Sequence, residues 1–327
     1  MTPRFSVCVP NYNSGRFIAK TIESVLAQTV PADQYEIIVS DNASSDNSLQ
    51  VIGHYIPRIR LVRQPATIHV IEHWNACLRE ANGDYVILLH SDDMIDRDFL
   101  KACGAVLDSR SGTQMVSCLY RLVDESGLVL NSQQRCGAEG ESPLDMLLRR
   151  NHVSPPSLLV RRSFYALSGY YNPEIRYCAD YDLAVRGAAE GGLVFLDQYL
   201  CSYRRHSSNL GSQDAANLFD IRHTAIAEHL WSTRLGLNAL QSRELHRQMV
   251  WLALLTTVCV LESGGRRIAL QRLSATRVSF RVAGLPAVAF SSLWLLSRVP
   301  GAWRLLRVIT SIYRHLTYRP SRHLGFQ

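Results

Sequence analysis

This sequence of 327 residues lacks two features, the regularly spaced cysteines of disulfide frameworks and zinc sites and the apolar core of a signal peptide. Its eight cysteines are scattered, with no CxxC pair and no zinc-type spacing. Scattered thiols are explained better by a reducing, cytosolic compartment than by a disulfide framework. The opening segment, MTPRFSVCVPNYN, contains no apolar core of the kind found in signal peptides, so we expect no secretory signal.

Glycine-rich nucleotide-binding loops are also missing. The segment that follows the first apolar run, PNYNSGRF, has neither a GxGxxG motif nor a Gly-rich basic loop. The first absence excludes a Rossmann dehydrogenase, because that motif brings the backbone close to a pyrophosphate. The second absence argues against a nucleotidyltransferase but leaves that class open as an alternative.

Acidic residues are absent from the last fifth of the chain, and lysine is rare throughout. Residues 264–327 hold eleven Arg and no Asp or Glu, so residues 1–263 carry a net charge of −4 within a total of +7. Only Lys20 and Lys101 are lysines. Genomic base composition is an alternative explanation for the preference for arginine, but it does not explain the missing acids. A basic C-terminal region beside a mildly acidic body indicates an anionic partner.

No apolar run in this tail reaches the roughly 20 residues that span a bilayer. Residues 249–261 are apolar but short, and residues 282–297 are uncharged but interrupted by Pro286. Residues 300–319 combine Trp303 and aliphatic residues with surrounding arginines, which is typical of a helix lying in a membrane interface. We expect peripheral contact with an anionic membrane surface; the alternative is a helical subdomain with a solvated Arg face. No recognised nucleic-acid motif accompanies the arginines, so we expect no nucleic-acid partner.

The first hundred residues alternate between strand and helix periodicity. Short, continuously apolar segments predict strands at 5–10, 35–41, 59–64 and 84–90. Helical spacing predicts helices at 14–29 and 69–81, and a further helix after a Ser44-Ser45-Asp46 cap. This alternation is typical of an α/β fold with a mostly parallel sheet between helices.

The pattern changes after about residue 114. We predict two strands joined by a turn at Glu125-Ser126-Gly127, a helix at 178–192, a strand at 193–206 and helices from about residue 214 onward. The chain is therefore divided into an α/β domain, residues 1–213, and a helical, basic C-terminal region, residues 214–327.

Polar residues follow each of the first four predicted strands. In mostly parallel sheets, ligands bind at the carboxyl ends of the strands. Tyr12 offers a ring for stacking on a base, Asp41 offers acceptors for a base or ribose, and Arg63 offers a cation for a base or phosphate. Taken singly, these residues fit loop packing, an Asx turn and a surface charge equally well. Their coincidence at successive strand ends predicts a nucleotide site.

The fourth predicted strand ends in His90-Ser91-Asp92-Asp93. Two adjacent carboxylates repel each other unless a counter-charge is present. Mg²⁺ and Mn²⁺ prefer carboxylate and phosphate oxygens, so the Asp92-Asp93 pair suits a metal that bridges to a diphosphate. The alternative is a solvated turn that caps the next helix.

In this order, the motifs resemble family 2 glycosyltransferases with the GT-A nucleotide-sugar fold. The resemblance covers roughly residues 4 to 210, and the matching segments are SVCVPNYNSGRFIAKTIESVLAQT, YEIIVSDNASSDNS, WNACLREANGDYVILLHSDD, CADYDLAVRG and YRRHSSN. It implies a nucleoside-diphosphate sugar as donor and Mg²⁺ or Mn²⁺ as cofactor. The residues implied to hold the nucleotide-sugar are Pro10, Asn11, Tyr12, Asp41, Arg63, Asn75 and Asp92, and those implied to hold the metal are Asp93 and His206.

The resemblance also implies a general base. Members of the family have a Glu-Asp motif at the start of a later helix; here Ala179 replaces the Glu and Asp180 remains. Asp180 would take the proton of the acceptor hydroxyl, although it also fits a helix N-cap. Asp182 points elsewhere on the same helix, so we interpret it as structural. His90 stands where many members have Asp, which leaves the metal coordination open.

The function implied is inverting transfer of a sugar, with UDP as the first nucleotide to test, to a hydroxyl of a glycan or lipid-linked acceptor. Surface-polysaccharide synthesis, in the cytoplasm and at the inner face of the plasma membrane, fits the basic tail. The alternatives are a nucleotidyltransferase and a non-catalytic scaffold of a glycan-assembly complex. Retention of Asp41, Asp92, Asp93 and Asp180 argues against the scaffold.

Overall fold

The computed structural model of the chain describes residues 2–133, 140–149, 153–175, 179–207, 209 and 235–243. The chain divides into two compact units. The first comprises residues 1–136, 142–147 and 151–206, and the second comprises residues 137–141, 148–150 and 207–327. The predicted helices and apolar segments of the tail lie outside the described residues, except for 235–243. There Asn238 Oδ1 accepts a hydrogen bond from the Gln241 N–H at 2.9 Å, as at a helix N-terminus.

The first unit alternates strands and helices as its periodicity predicts. Its strands are β1 (Phe5–Asn11), β2 (Tyr35–Asp41), β3 (Arg60–Arg63), β4 (Tyr85–Leu88), β5 (Met94–Ile95), β6 (Met115–Val123), β7 (Val129–Ser132), β8 (Leu158–Arg161) and β9 (Leu193–Arg204). Its α-helices are α1 (Ile18–Leu26), α2 (Ser48–Gly53), α3 (Val70–Arg79), α4 (Phe99–Ser109), α5 (Pro143–Arg149), α6 (Arg162–Ser168) and α7 (Ala179–Ala189).

One nine-stranded sheet runs through this unit in the order β3-β2-β1-β4-β8-β6-β9-β5, and β7 pairs with β6. Strands β1 to β4 are mutually parallel, which confirms the parallel sheet predicted for the first hundred residues. The second half is mixed, because β8 pairs antiparallel with β4 and β6, and β5 pairs antiparallel with β9.

Strand β1 is the centre of the core, since all seven of its residues are buried. Phe5, Val7 and Val9 pack in one cluster with apolar residues of α1, β2, β4 and α4. Fully burying a side chain of this kind contributes roughly 1.5–3 kcal/mol. A tightly packed strand at the centre fixes the positions at which its neighbours end.

Several predicted boundaries differ from the structure by a few residues. Helix α1 begins at Ile18 rather than at residue 14, because residues 14–17 form a turn whose Ser14 carbonyl accepts hydrogen bonds from Phe17 and Ile18. Helix α3 ends at Arg79, two residues before its predicted end at residue 81. Gly83, just beyond it, lies against β1, where an added Cβ would come within 2.7 Å of the Phe5 carbonyl carbon.

In the part of the chain that the structure describes, no helix combines the length and the apolar composition needed to cross a membrane.

Candidate active site

The pairing of β5 with β9 determines which residues lie next to Asp92 and Asp93. Met94 is opposite Ser202 in an antiparallel register. Residues just before Met94 therefore lie beside residues just after Ser202. Because β5 has only two residues, this register is not visible as a periodicity in the sequence. It brings Asp92 and Asp93 next to Arg204 and His206.

Asp92 is the more accessible of the two aspartates. Its Oδ2 lies 2.9 Å from Nε2 of His206, and their side chains are 20% and 6% exposed, respectively. The ring of Phe17 packs against the His206 imidazole, with centroids 4.5 Å apart. Asp92 and His206 thus meet at a partly open position, with an aromatic ring behind the imidazole.

Asp93 is fully buried. Its Oδ1 accepts a hydrogen bond from the Arg204 backbone N–H at 2.9 Å. Its Oδ2 is buried with no hydrogen-bond partner among the described residues. Burial, followed by the neighbouring Asp92 carboxylate, raises the pKa of Asp93 well above its usual range. An unpartnered buried carboxylate oxygen beside a second carboxylate is a feature that a cation would stabilise.

His90 completes a cluster of ligand atoms with the two aspartates. One ligand atom each from His90, Asp92 and Asp93 lies within 4.8 Å of the others. His90 Nδ1 is 3.9 Å from Asp93 Oδ2, and no described residue provides a hydrogen-bond partner for its buried Nε2. Burial lowers the pKa of His90, which favours the neutral form that can ligate a metal. Carboxylates and imidazoles are suitable donors for a divalent cation, so the residues present fit the implied metal.

The metal ligands predicted from the sequence were Asp93 and His206. The structure groups Asp93 with His90 and places His206 against Asp92, so all four side chains belong to one region. His90 was not predicted to be a ligand, although it stands where many family members have Asp. Its packing on the half-buried Trp74, with ring centroids 4.6 Å apart, is likewise a contact that only the structure reveals.

Helix α1 holds the aspartate turn from the other side. The buried Thr21 hydroxyl lies 3.0 Å from the carbonyl of Ser91 and 2.8 Å from that of Asp93, and it donates to this pair of carbonyls. Ser91 Oγ donates to Ser14 Oγ at 2.9 Å. A turn that is bonded to α1 holds its carboxylates in place before any ligand arrives.

The register of the sheet brings the ends of β1, β2 and β3 to one edge. Asn11 is opposite Asp41 in the β1–β2 pair, and Asp41 is opposite Arg63 in the β2–β3 pair. Arg63 is exposed, whereas Pro10, Asn11 and Asp41 are buried. Tyr12 is 50% exposed, which leaves ring surface open for stacking.

Asp41 has a structural task in addition to its predicted one. Its Oδ1 accepts a hydrogen bond from Asn11 Nδ2 at 2.8 Å, and its Oδ2 accepts one from the Ser44 N–H at 3.0 Å. The second bond is the Asx turn considered as the alternative. A carboxylate has about four acceptor positions, so these two bonds orient Asp41 and leave acceptor capacity.

The loops that follow β1 and β2 are bonded to each other. Asn13 Oδ1 accepts the Ser45 N–H at 2.8 Å, and Asp46 Oδ2 accepts the Gly15 N–H at 2.9 Å. Asn13 has a positive φ of 50°, a conformation that Asn adopts more readily than most residues. The two loops therefore form one rigid edge beside Tyr12 and Asp41.

Asp180 lies in the first turn of α7, as predicted. It is half-buried, and desolvation raises its pKa to about 6. Its charge acts on Tyr171 and Tyr203, and the charges of Asp92 and Asp93 also act on Tyr203. Burial, and then these carboxylates, raise the pKa of Tyr203 well above its usual range. The charges of all three carboxylates thus act on Tyr203.

Asp182 is confirmed as structural. Its Oδ2 accepts a hydrogen bond from Arg186 Nε at 3.0 Å, and the same guanidinium donates to the carbonyls of Ser168, Gly169 and Tyr170. The interaction ties the segment before Tyr171 to α7.

Asn75 was predicted to bind the nucleotide-sugar. In the structure its Nδ2 donates to the Tyr171 carbonyl at 2.8 Å and its Oδ1 accepts the Tyr171 N–H at 3.0 Å. Both polar atoms are therefore engaged with one backbone position. The neighbouring Trp74 meets Tyr171 edge to face at 5.7 Å. These contacts make Asn75 a support for Tyr171 beside Asp180.

Comparison with known families gives the class of this fold and site. Residues 6–163 match the model of the family described as Glycosyl transferase family 2. This part of the chain belongs to that family, and the unit has the GT-A fold.

Several curated proteins are similar in sequence. A segment of 108 residues, 32% of this chain, is 34% identical to the poly(ribitol-phosphate) beta-N-acetylglucosaminyltransferase TarS of Staphylococcus aureus and spans 19% of it. A segment of 199 residues, 58% of this chain, is 29% identical to the putative glycosyltransferase EpsE of Bacillus subtilis and spans 68% of it. The match thus covers less than a fifth of TarS.

Solved structures share the fold. Staphylococcus aureus TarS 1-349 in complex with UDP-GlcNAc has a TM-score of 0.69 at 17% identity, over 97% of this chain and 93% of that chain. The mannosyltransferase PcManGT from Pyrobaculum calidifontis, in complex with GDP-Man and Mn²⁺, has a TM-score of 0.59 at 19% identity, over 97% and 88% of the two chains.

Proposed function

We propose that this protein is an inverting, metal-dependent glycosyltransferase. It moves a sugar from a nucleoside-diphosphate sugar to a hydroxyl of a glycan or lipid-linked acceptor in cell-surface polysaccharide synthesis. The observation that carries the proposal is the approach of His206 to Asp92 at 2.9 Å, beside the buried carboxylate of Asp93.

The donor is assigned to the edge formed by the ends of β1, β2 and β3. Tyr12 offers an exposed ring to the base, and the exposed Arg63 is the sheet neighbour of the buried Asp41. The solved TarS complex contains UDP-GlcNAc, and the PcManGT complex contains GDP-Man. UDP is the first nucleotide to test, with GDP as the comparison.

A divalent cation would be held by Asp92 and His206, with His90 and Asp93 offering further ligand atoms in the same region. When bound, such a cation supplies positive charge that stabilises the departing nucleoside diphosphate. Mg²⁺ and Mn²⁺ are both compatible with carboxylate ligands, and the imidazoles add donors that suit Mn²⁺ better than Mg²⁺.

Asp180 is assigned as the general base. Its carboxylate takes the proton of the acceptor hydroxyl while the acceptor oxygen forms a bond to the anomeric carbon. The bond between that carbon and the phosphate oxygen breaks in the same step, so the configuration at the carbon inverts. A pKa of about 6 leaves Asp180 mostly ionised at neutral pH and able to hold a proton transiently.

A cytoplasmic location with contact at the inner face of the plasma membrane is proposed for the basic tail, residues 264–327, which lie outside the described residues. We expect full-length protein to bind vesicles containing anionic lipid at low salt and to dissociate at high salt, because surface charges are screened. Equal binding to neutral vesicles would contradict an electrostatic contact.

The proposed function is tested by thermal-shift titration with UDP, GDP and dTDP, each with and without Mn²⁺. A ligand that binds only the folded state raises its stability by mass action. We expect one nucleotide to stabilise the wild type only with Mn²⁺, and we expect Asp92→Asn to lose this response. The exposed Asp33→Asn is the matched control and keeps the response.

A second readout separates an enzyme from a scaffold. We expect metal-dependent hydrolysis of the matching nucleotide-sugar by the wild type, with loss of this hydrolysis in Asp180→Asn. Nucleotide binding without any turnover of donor would favour the scaffold alternative, and release of pyrophosphate from a nucleoside triphosphate would favour a nucleotidyltransferase.

A further inference from the structure

Arg204, the last residue of β9, is a fully buried arginine. Removing a guanidinium from water is costly unless its hydrogen bonds are replaced. Here they are replaced by neutral acceptors. Nε donates to the Asp92 carbonyl at 2.8 Å, Nη1 lies 3.2 Å from the Asp124 carbonyl and 2.9 Å from that of Glu125, and Nη2 lies 3.3 Å from Met94 Sδ.

These contacts join three separate parts of the chain. The Asp92 carbonyl belongs to the aspartate turn, and the carbonyls of Asp124 and Glu125 belong to the turn between β6 and β7. The backbone N–H of Arg204 also donates to Asp93 Oδ1. One residue thereby fixes the backbone of the first aspartate and the carboxylate of the second.

His206 follows Arg204 by two residues, and its ring is supported by the same neighbour. Phe17 lies 4.5 Å from the His206 ring and 5.3 Å from the Arg204 guanidinium, measured between centres. The Arg205 N–H donates to the Val123 carbonyl at 2.7 Å, which holds the chain between Arg204 and His206 against β6.

We propose that Arg204 is the positioning residue that sets the geometry between Asp92 and His206, and through it the affinity of the site for a divalent cation. This inference rests on the proposed function, which assigns the cation to Asp92 and His206. The contacts of the Arg204 guanidinium are to protein atoms, so the effect of Arg204 on the cation is indirect. It acts by holding the aspartate turn and the end of β9 at a fixed separation.

The geometry of the guanidinium, rather than its charge, carries this role. The planar fork reaches acceptors on two turns at once, whereas a lysine ammonium is a single point on a flexible stem. Arg204→Lys therefore keeps the positive charge beside the two carboxylates and loses most of the bonds that join the turns.

Arg186 provides a matched control. It is also an arginine that clamps backbone carbonyls, with its Nη1 and Nη2 donating to residues 168–170 and its Nε donating to Asp182. Its bonds join α7 to residues 168–170, and none of them goes to Asp92 or His206. We therefore expect Arg186→Lys to lose stability without a change in its affinity for the metal.

The test is a titration of full-length protein with Mn²⁺ alone, followed by electron paramagnetic resonance of the free ion, with the melting temperature measured in parallel. Loss of an outer residue that orients metal ligands costs about 10- to 100-fold in affinity. We expect this loss for Arg204→Lys and an unchanged Mn²⁺ affinity for Arg186→Lys, while both variants melt at lower temperature. An unchanged Mn²⁺ affinity in Arg204→Lys would overturn the inference and leave the proposed function standing.

Failure of the wild type to bind Mn²⁺ would overturn the metal part of the proposed function together with this inference, so the two failures are distinguishable. If Arg204→Lys does not fold, Arg204→Gln replaces it. That variant buries no charge, and its single amide cannot reach the acceptors of both turns. We expect a weaker affinity for Mn²⁺ here as well, and an affinity equal to that of the wild type would contradict the proposal.

Discussion

Replacing Asp180 by Asn is expected to abolish sugar transfer and, at neutral pH, to stabilise the protein. Desolvation raises the Asp180 pKa to about 6, whereas an unperturbed Asp titrates near 4. Between these two values the folded state binds more protons than the unfolded state, so stability falls as pH rises through this window. Above pH 6 the folded protein carries the full cost of a desolvated carboxylate.

The size of that cost follows from the displacement of the pKa. Roughly two pH units correspond to at most about 3 kcal/mol in the free energy of unfolding. Asp180 is only half-buried, and an acidic group in the first turn of a helix gains about 0.3–1 kcal/mol from the helix dipole. After both reductions, we expect Asp180→Asn to be more stable by about 1–2 kcal/mol at pH 7, which raises the melting temperature by about 2–8 °C.

Two measurements check this prediction. Melting curves of wild type and Asp180→Asn should converge as pH falls from 7 to 4, because both side chains are then neutral. The turnover of the wild type should fall about tenfold per pH unit below 6, and Asp180→Asn should lose about 10²- to 10⁴-fold in turnover at pH 7. A variant that melts at lower temperature at pH 7 would refute the reasoning and favour the alternative of a stabilising helix cap.

Two further predictions concern the loops around the site. Gly15→Ala should destabilise the protein by about 1–3 kcal/mol, because its Cβ would lie 2.0 Å from Asn47 Oδ1 and 3.0 Å from the Ser48 nitrogen. Gly53→Ala, in a helix with nothing within 4 Å of the new Cβ, is the control and should be neutral or stabilising in a chemical denaturation series. Asn75→Ala should cost about 1–3 kcal/mol by leaving the Tyr171 backbone unpaired, and it should lower kcat more than it weakens nucleotide binding. Equal loss of nucleotide affinity would return Asn75 to the donor site.

The parallel half of the fold was predictable because its strands are continuously apolar and its helices are amphipathic. Those signals are local, and they sufficed to place Asn11, Asp41 and Arg63 on one edge. The surroundings of Asp92 were not predictable in the same way. They depend on the two-residue strand β5 and its register with β9. A strand this short has no hydrophobic periodicity from which its pairing could be predicted.

The same distinction explains which site residues were missed. Arg204 lies in the segment YRRHSSN, which contributes to the family resemblance. Its burial, however, results from tertiary contacts with two turns that are distant in the sequence. In the sequence, Trp74 and Thr21 are ordinary residues of amphipathic helices. The packing of α3 brings Trp74 against His90, and the packing of α1 brings Thr21 to the aspartate turn. Asn75 was singled out through a resemblance, and the structure shows the backbone contacts that the sequence does not specify.

The contrast between Asp92 and Asp93 explains how a buried strand can end in two carboxylates. The fold separates their environments, since Asp93 is enclosed and accepts the Arg204 N–H while Asp92 remains partly open beside His206. Two neighbouring carboxyl groups cannot both be ionised without a cost in electrostatic free energy. When one of them is more buried than the other, ionising the buried one costs more. The enclosed carboxylate holds the end of β9 in place, and that end carries the histidine. The partly exposed Asp92 carboxylate then lies within hydrogen-bonding distance of His206. The contact between Asp92 and His206 therefore depends on the position that Asp93 gives to the end of β9.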